Sequence, residues 1–200
     1  MLSKPRYKVG RRLGAGVYEK CQTPKFVASS QRKGKSDKRP KQKSEFGMQL
    51  IEKLRVRYSY GITERQLSNY VEEAMVTKGS AITDTLYRKL ETRLDNVVYR
   101  LGFVSSRRAA RQLVSHGHIT VNGRRVTIPS MQIRVNDVIG VREGSKKSPL
   151  FSNLAERLKE YKTPAWLSWN SDMTEATVRA VPQNTEEFIN LGSVIEFYSR

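Results

Sequence analysis

The chain has 200 residues, and its 37 Lys and Arg against 19 Asp and Glu leave a formal net charge of +18. Like charges repel one another in a compact chain, so an imbalance of this size is normally neutralised by a polyanion, with nucleic acid the first candidate. No apolar run approaches the ~18 residues of a membrane-spanning helix, and the single Cys21 can form neither an internal disulfide nor a four-ligand Cys/His zinc cage. The composition therefore sets aside a spanning segment and a structural zinc site, and the expectation is a chain with no cofactor, no membrane and no small-molecule substrate.

From Met1 to Ser44 there are fourteen basic residues against two acids, Glu19 and Asp37, which is +12 of the +18. The later part, SSQRKGKSDKRPKQKS, has no apolar residue and cannot bury enough surface to offset its ordering entropy. Residues 1–44 are thus expected to form a basic, disordered-type arm that orders on RNA, with Arg11 and Arg12 among its contacts; a solvated linker is the bland alternative. RLGAGV has two glycines but neither a preceding strand nor a third glycine, so it reads as a turn and not a nucleotide loop.

Helical periodicity begins at Phe46. Leu50, Ile51, Leu54 and Tyr58 share one face up to Gly61, while Lys53, Arg55 and Arg57 point elsewhere. A solvated face explains these charges as well as phosphate contact does, and Lys53 and Arg57 are carried forward as RNA candidates. Thr63 and Gln66 form a capping box for a second helix, whose stripe of Leu67, Tyr70, Val71, Ala74 and Met75 ends at Gly79. The spacing predicts a third helix from Thr83 to Leu101, with Lys89, Arg93, Asn96 and Arg100 along one flank. Three helices with short links should pack as a small bundle.

Ser105 or Ser106 can cap a short helix from Arg107 to His116, stopped by Gly117. Ala109, Ala110, Leu113 and Val114 fill one arc of it, and Arg107, Arg108, Arg111, Gln112 and Ser115 the other. This helix and the end of the one before it should therefore pair and present Arg93, Arg100, Arg107, Arg108 and Arg111 to solvent. The period then changes to two: Ile119 and Val121, an Asn122-Gly123 turn, Val126 and Ile128, a second turn at Asn136-Asp137, and Val138, Ile139 and Val141. The expected fold class is α+β, two helices and a small antiparallel sheet following a helical bundle. Of the tyrosines, Tyr99 alone faces out, and Trp166 and Trp169 are expected to anchor a loop.

The order LETRLDNVVYRLGFVSSRRAARQLVSHGHITVNGRRV closely resembles the RNA-binding module first defined in the universal small-subunit ribosomal protein S-four family. KSEFGMQLIEKLRVRYSYGITERQLSNYV before it, PAWLSW after it and the ending VIEFYSR resemble the same family, so the likeness covers most of Lys43 to Arg200. It implies a structural component of the small ribosomal subunit, cytoplasmic and within the ribosome, with an organellar matrix the less favoured location. Such a protein would bind small-subunit ribosomal RNA early at a multi-helix junction, nucleate assembly and contribute to decoding accuracy. Its implied partners are that RNA, neighbouring small-subunit proteins, notably the fifth, and messenger RNA where it enters. Carried over residue by residue, the module's RNA-facing positions are Arg93, Arg107, Arg108, Arg111, Gln112, His116 and Asn122. The family also inserts the module into the helical domain, implying helical segments 45–88 and 183–200 around a module and extension at 89–182, with its core at 91–152. Two departures stand out: some relatives carry an N-terminal cysteine cluster for zinc where this chain has only Cys21, and QNTEEF after Pro182 lacks the arginine expected there.

Two other classes compete. A pseudouridine synthase or nuclease carrying this module needs a further catalytic domain, typically of ~100 residues or more, and every segment is already assigned; no Ser/His/Asp set, metal cluster or acidic pair in an apolar frame is found. A free factor that rescues stalled ribosomes would consist of little beyond the module. His116 and His118 suggest neither ligand nor base, since one ends a helix and the other starts a strand. The chain is expected not to be an enzyme.

Overall fold

The computed structural model describes residues 5–33, 44–151, 154–159, 161–170, 174–184 and 188–199. In chain order its helices and strands are α1 (Arg6–Leu13), α2 (Pro24–Lys33), α3 (Glu45–Ser59), α4 (Glu64–Val76), α5 (Ile82–Glu91), α6 (Leu94–Arg100), α7 (Arg107–Ser115), β1 (Ile119–Val121), β2 (Arg124–Arg125), β3 (Val138–Val141), α8 (Glu143–Lys146), α9 (Leu154–Lys159), β4 (Leu167–Trp169), β5 (Glu175–Val178) and α10 (Leu191–Tyr198). This is an α+β chain, as the patterning predicts. It divides into two compact units, Met1–Leu86 with Thr185–Arg200, and Tyr87–Asn184.

In the first unit the N-terminal segment departs from expectation. Residues 5–33 are folded: α1 is followed by two turns of 3-10 helix, Ala15–Val17 and Glu19–Cys21, and then by α2. Val9, Leu13 and Val17 form a buried cluster with Tyr58 of α3, and Ile51 and Leu54 pack against it. Cys21 is fully buried, and its thiol is pushed above its ordinary pKa, chiefly by burial. The charge count concealed five apolar residues, Val9, Leu13, Val17, Cys21 and Phe26, that suffice to anchor this segment. Residues 34–43, most of the stretch without apolar residues in the expected arm, lie outside the described residues.

The α4 helix begins where its capping box predicts, and α3 begins at Glu45, one residue before its expected start, behind a serine cap. Ser44 accepts from the Gly47 amide, and Thr63 and Gln66 complete the reciprocal capping box. The C-terminal α10 packs on α3 and α4, and the Glu64 carboxylate joins all three helices. Glu64 accepts from Lys53 Nζ at 2.8 Å, Tyr198 Oη at 2.7 Å and Arg57 Nη1 at 3.1 Å. Lys53 Nζ also lies 4.2 Å from the Phe197 ring centre. Burial opposes ionisation of Glu64, but the hydrogen bonds from Lys53 and Tyr198 and the charges of Lys53 and Arg57 outweigh it and hold the carboxyl below its ordinary value. Burial, then the bond to Glu64, pushes the Tyr198 phenol upward, so it remains the donor.

The second unit is built on one core. Leu94, Val97 and Val98 of α6, Ala110, Leu113 and Val114 of α7, and Ile119, Val121, Ile139, Val141, Ala176 and Val178 of the sheet all belong to it. The sheet order is β2-β1-β3-β5-β4, and every pairing is antiparallel. The strands β4 and β5 were not anticipated: the Trp segment expected to anchor a loop is strand β4, with Leu167 opposite Val178 and Trp169 opposite Ala176. Phe103 packs edge-on against Trp169, with ring centres 5.1 Å apart. Alternation in EATV was available to read, whereas a three-residue strand such as LSW gives too short a pattern.

The single helix expected from Thr83 to Leu101 is instead two, α5 and α6, broken at Thr92–Arg93. Arg93 is extended, with ψ 136°, and pairs with Gln132 across an isolated antiparallel bridge. The amides of Leu94 and Asp95 donate to the carbonyls of Met131 and Pro129 at 2.8 and 3.1 Å, and Ile133 donates to Thr92 at 2.8 Å. A distant loop thus supplies the partners that the orphan amides of a helix start require.

Two measurements test these packing assignments. Leu13→Ala should destabilise the chain by about 2–5 kcal/mol and expose the bonds after Arg11, Arg12 and Lys20 to trypsin in limited proteolysis; unchanged protection would contradict a folded N-terminal segment. Because the folded Glu64 pKa is depressed, its contribution is complete above its ordinary value of 4.5 and is lost as pH falls through the lower folded value. Acid titration of Glu64→Gln should accordingly show a shallower loss of stability below that pH than the parent chain.

Candidate nucleic-acid interface

The candidate residues from the start of α6 to the end of α7 fall into three classes. Arg93 is 1% exposed, and its Nε and Nη2 donate to Asp95 Oδ1 and Oδ2 at 3.0 and 2.8 Å. The expectation that it is presented to solvent is corrected. The break between α5 and α6 turns it inward, and a guanidinium with no surface has nothing to offer a phosphate.

Arg100, Arg107 and Arg111 form the second class, partly exposed and held from below. Arg100 makes two 2.8 Å bonds to the buried Glu91. Arg107 Nε donates to Asn96 Oδ1 at 2.7 Å, and its guanidinium lies 4.6 Å from the Tyr99 ring centre. Tyr99 is therefore half-buried beneath an arginine, where a freely outward-facing ring was expected. Arg111 Nε donates to Asp95 Oδ2 at 2.9 Å, and its Nη2 lies 2.8 Å from the same oxygen. The side chains of Arg100, Arg107 and Arg111 retain 21%, 16% and 25% exposure, so their heads reach the surface in set orientations. They are not the loosely solvated arc that the helical wheel alone suggests.

Arg108, Gln112 and His116 form the third class and are exposed on the outer face of α7 and its C-terminal turn. Ser106 caps this helix by accepting from the Ala109 amide, so Arg107 and Arg108 start it. On the β1–β2 hairpin Arg124 and Arg125, which sequence reasoning passed over, are exposed as well. Arg125 Nη2 donates to the His116 carbonyl at 3.4 Å. Gly117 permits this approach: its φ of +73° lies in the left-handed region, and a Cβ there would collide with the Arg125 guanidinium. The signal for the pair was its position just after an Asn-Gly turn, where an edge strand exposes both residues.

Asn122 is exposed but its amide has a structural task. It has a positive φ of 50°, donates to Asp137 Oδ1 at 2.9 Å and accepts from the Val138 amide at 2.8 Å. Asp137 in turn accepts from the Arg134 amide at 2.7 Å. The two turns of the sheet are locked to each other, an alternative use of a residue expected to face RNA. His118 Nδ1 lies 3.0 Å from Ser145 Oγ.

In the first unit Lys53 is corrected likewise. Its side chain is 11% exposed and bound to Glu64, so its charge is spent inside the helical unit. Arg57 shares that carboxylate at 22% exposure. Arg11 and Arg12 are exposed on α1, with Arg11 6.0 Å from the Phe26 ring centre. Among the described residues no helix is long and apolar enough to cross a membrane, and no group of three or more His, Cys, Asp or Glu is placed to hold a metal ion.

Two helices backed by an antiparallel sheet, with a cationic outer face, define an RNA-binding protein of the S4-domain class, and the S4 domain profile matches residues 92–139. The profile described as Ribosomal protein S4/S9 N-terminal domain matches residues 1–91. The chain is 45% identical over 202 residues to small ribosomal subunit protein uS4 of Roseiflexus sp. (strain RS-1), covering 98% of this chain and 97% of that protein. Against the uS4 of Pelotomaculum thermopropionicum identity is 44%, with 95% and 94% covered, and against that of Acinetobacter baylyi it is 42%, with 98% and 97% covered. The chain belongs to the family of small ribosomal subunit protein uS4, a family of structural ribosomal proteins and not of enzymes.

Substitution of a buried and an exposed arginine should separate their roles. Arg93→Met should cost about 3–5 kcal/mol, the range for stranding one partner of a buried ion pair, whereas Arg108→Gln should change stability by no more than about 0.5 kcal/mol. Urea denaturation of both variants checks this, and equal midpoints would refute the division.

Proposed function

We propose that the exposed face of α7 and the β1–β2 hairpin binds small-subunit ribosomal RNA, with Arg108, Gln112, His116, Arg124 and Arg125 at its centre and Arg100, Arg107 and Arg111 along its flank. The carrying observation is the row along α7: residues 108, 112 and 116 lie one helical turn apart, and Arg125 reaches the His116 carbonyl at the end of that row. Side chains anchored on a helix and a hairpin present donors at fixed spacing to a phosphate backbone, which positions a protein on RNA without reading its sequence. Arg11, Arg12 and Arg57 are proposed as secondary contacts. Arg93 and Lys53 are not proposed, because both are buried against carboxylates.

Within this reading the chain binds early in subunit formation, helps nucleate assembly and contributes to translational accuracy near the site of messenger entrance. There it neighbours the fifth small-subunit protein and approaches messenger RNA, within cytoplasmic ribosomes. These finer roles rest on the family resemblance, and the arginine face is the part that the geometry supports.

If six to ten phosphates are neutralised, affinity for a small-subunit ribosomal RNA transcript should fall by about a thousandfold or more between 50 and 200 mM salt. The double variant Arg108→Gln, Arg124→Gln should bind more weakly and lower the salt slope by about two, with its melting temperature nearly unchanged. A merely solvated face predicts that neither affinity nor slope moves.

A further inference from the structure

Beneath the face lie two acids that oppose its charge. The side chains of Glu91 and Asp95 are 1% and 5% exposed. Through them, Arg100 is gripped by two bonds and Arg111 is held through both Nε and Nη2. Arg107 is fixed between Asn96 Oδ1 and the Tyr99 ring, with its Nη2 3.9 Å from Glu91. Asn96 is fixed in turn, since its Nδ2 donates to the Glu91 carbonyl at 3.0 Å.

Two effects of these acids compete. Each carboxylate subtracts a charge from a surface that must attract a polyanion, which weakens long-range attraction. Each also removes rotamer freedom from arginines that would otherwise lose it on binding RNA, which strengthens binding by preorganisation. A carboxylate within a few ångströms of a guanidinium is screened little when buried, so the first effect is not negligible. The geometry favours the second: Arg100 is held by a fork onto both Glu91 oxygens, and Arg111 by Nε and Nη2 on one Asp95 oxygen, which fixes the plane and direction of each guanidinium.

The geometry points to Glu91 and Asp95, assisted by Asn96 and Tyr99, as positioning residues of the RNA-binding face. They aim the heads of Arg100, Arg107 and Arg111 before RNA arrives, and they strengthen binding although they lower its charge. This inference rests on the reading that the face binds RNA.

The sign of one substitution tests it. Glu91→Gln in the full-length chain keeps shape and raises the formal charge from +18 to +19. Affinity is measured for an in vitro transcribed small-subunit ribosomal RNA at one fixed salt concentration, at a temperature where circular dichroism shows the variant folded. Positioning predicts binding weaker by about tenfold, a typical return on lost preorganisation; a purely electrostatic role predicts equal or tighter binding, and that result in a folded variant overturns the inference. If Glu91→Gln does not fold, Tyr99→Leu decides, since it leaves the charge unchanged and removes the ring under Arg107. Binding weaker by about threefold is then expected, and unchanged affinity overturns the inference. The Arg108→Gln, Arg124→Gln variant is measured alongside. If it too binds like the parent, the RNA-binding reading of the face fails; if it weakens while the positioning variant does not, only the present inference fails.

Discussion

Asp95 sits 3% exposed at the start of α6, and the architecture of the second unit depends on how that charge is met. An isolated carboxylate in an apolar interior is too costly to persist, so it must be paired and hydrogen-bonded. Arg93 meets it from two residues away and Arg111 from the facing helix, so one acid joins the start of α6 to α7. Arg93 can reach it only because the chain breaks at Thr92–Arg93. That break survives because the loop around Pro129–Ile133 supplies carbonyls and an amide to the exposed helix ends. The ion pair, the helix break and the loop crossing below them form one arrangement.

The same logic sorts the positive charge of the molecule. A total of +18 suggests a uniformly cationic surface, yet several of these charges are committed inside the fold. In the first unit Lys53 and Arg57 converge on Glu64, which also takes the Tyr198 hydroxyl and so secures the C-terminal helix. In the second, Arg93 is consumed entirely and Arg100, Arg107 and Arg111 are partly restrained. Among the described residues, Arg108, Arg124 and Arg125 stay outward on α7 and the hairpin beside it, while other exposed cations such as Arg11, Arg12, Arg134 and Arg142 lie elsewhere on the chain. Burial decides the chemical role of each cation: a guanidinium on an internal carboxylate stabilises the fold, and one on an exposed helix face can exchange water for phosphate.

The sheet contributes by rigidity. Asn122 and Asp137 lock its two turns together, which fixes the hairpin carrying Arg124 and Arg125, and Gly117 lets Arg125 lie against the end of α7. A cationic row spanning a helix and a strand keeps its spacing only if both elements share a core, as Leu113, Val114, Ile119 and Val121 ensure.

The sequence by itself determined the α+β class, the capping box and apolar face of α4, the cap and faces of α7, the Asn-Gly hairpin and the outward position of Arg108 and Gln112. These follow from local periodicity and turn chemistry, which neighbouring residues specify among themselves. Only the tertiary structure decided the folding of residues 5–33, the strands β4 and β5, the break before α6 and the burial of Arg93 and Lys53. Each of these depends on a partner far along the chain: Tyr58 for Val9, Leu13 and Val17, Val178 for Leu167, Met131 for Leu94, and Glu64 for Lys53. The exception proves instructive, because Asp95 is only two residues from Arg93, yet the pair forms only where a loop some forty residues away replaces the helical hydrogen bonds. Helical spacing placed Arg93 on a surface flank, and the tertiary hydrogen bonds that interrupt that helix turned it into the core.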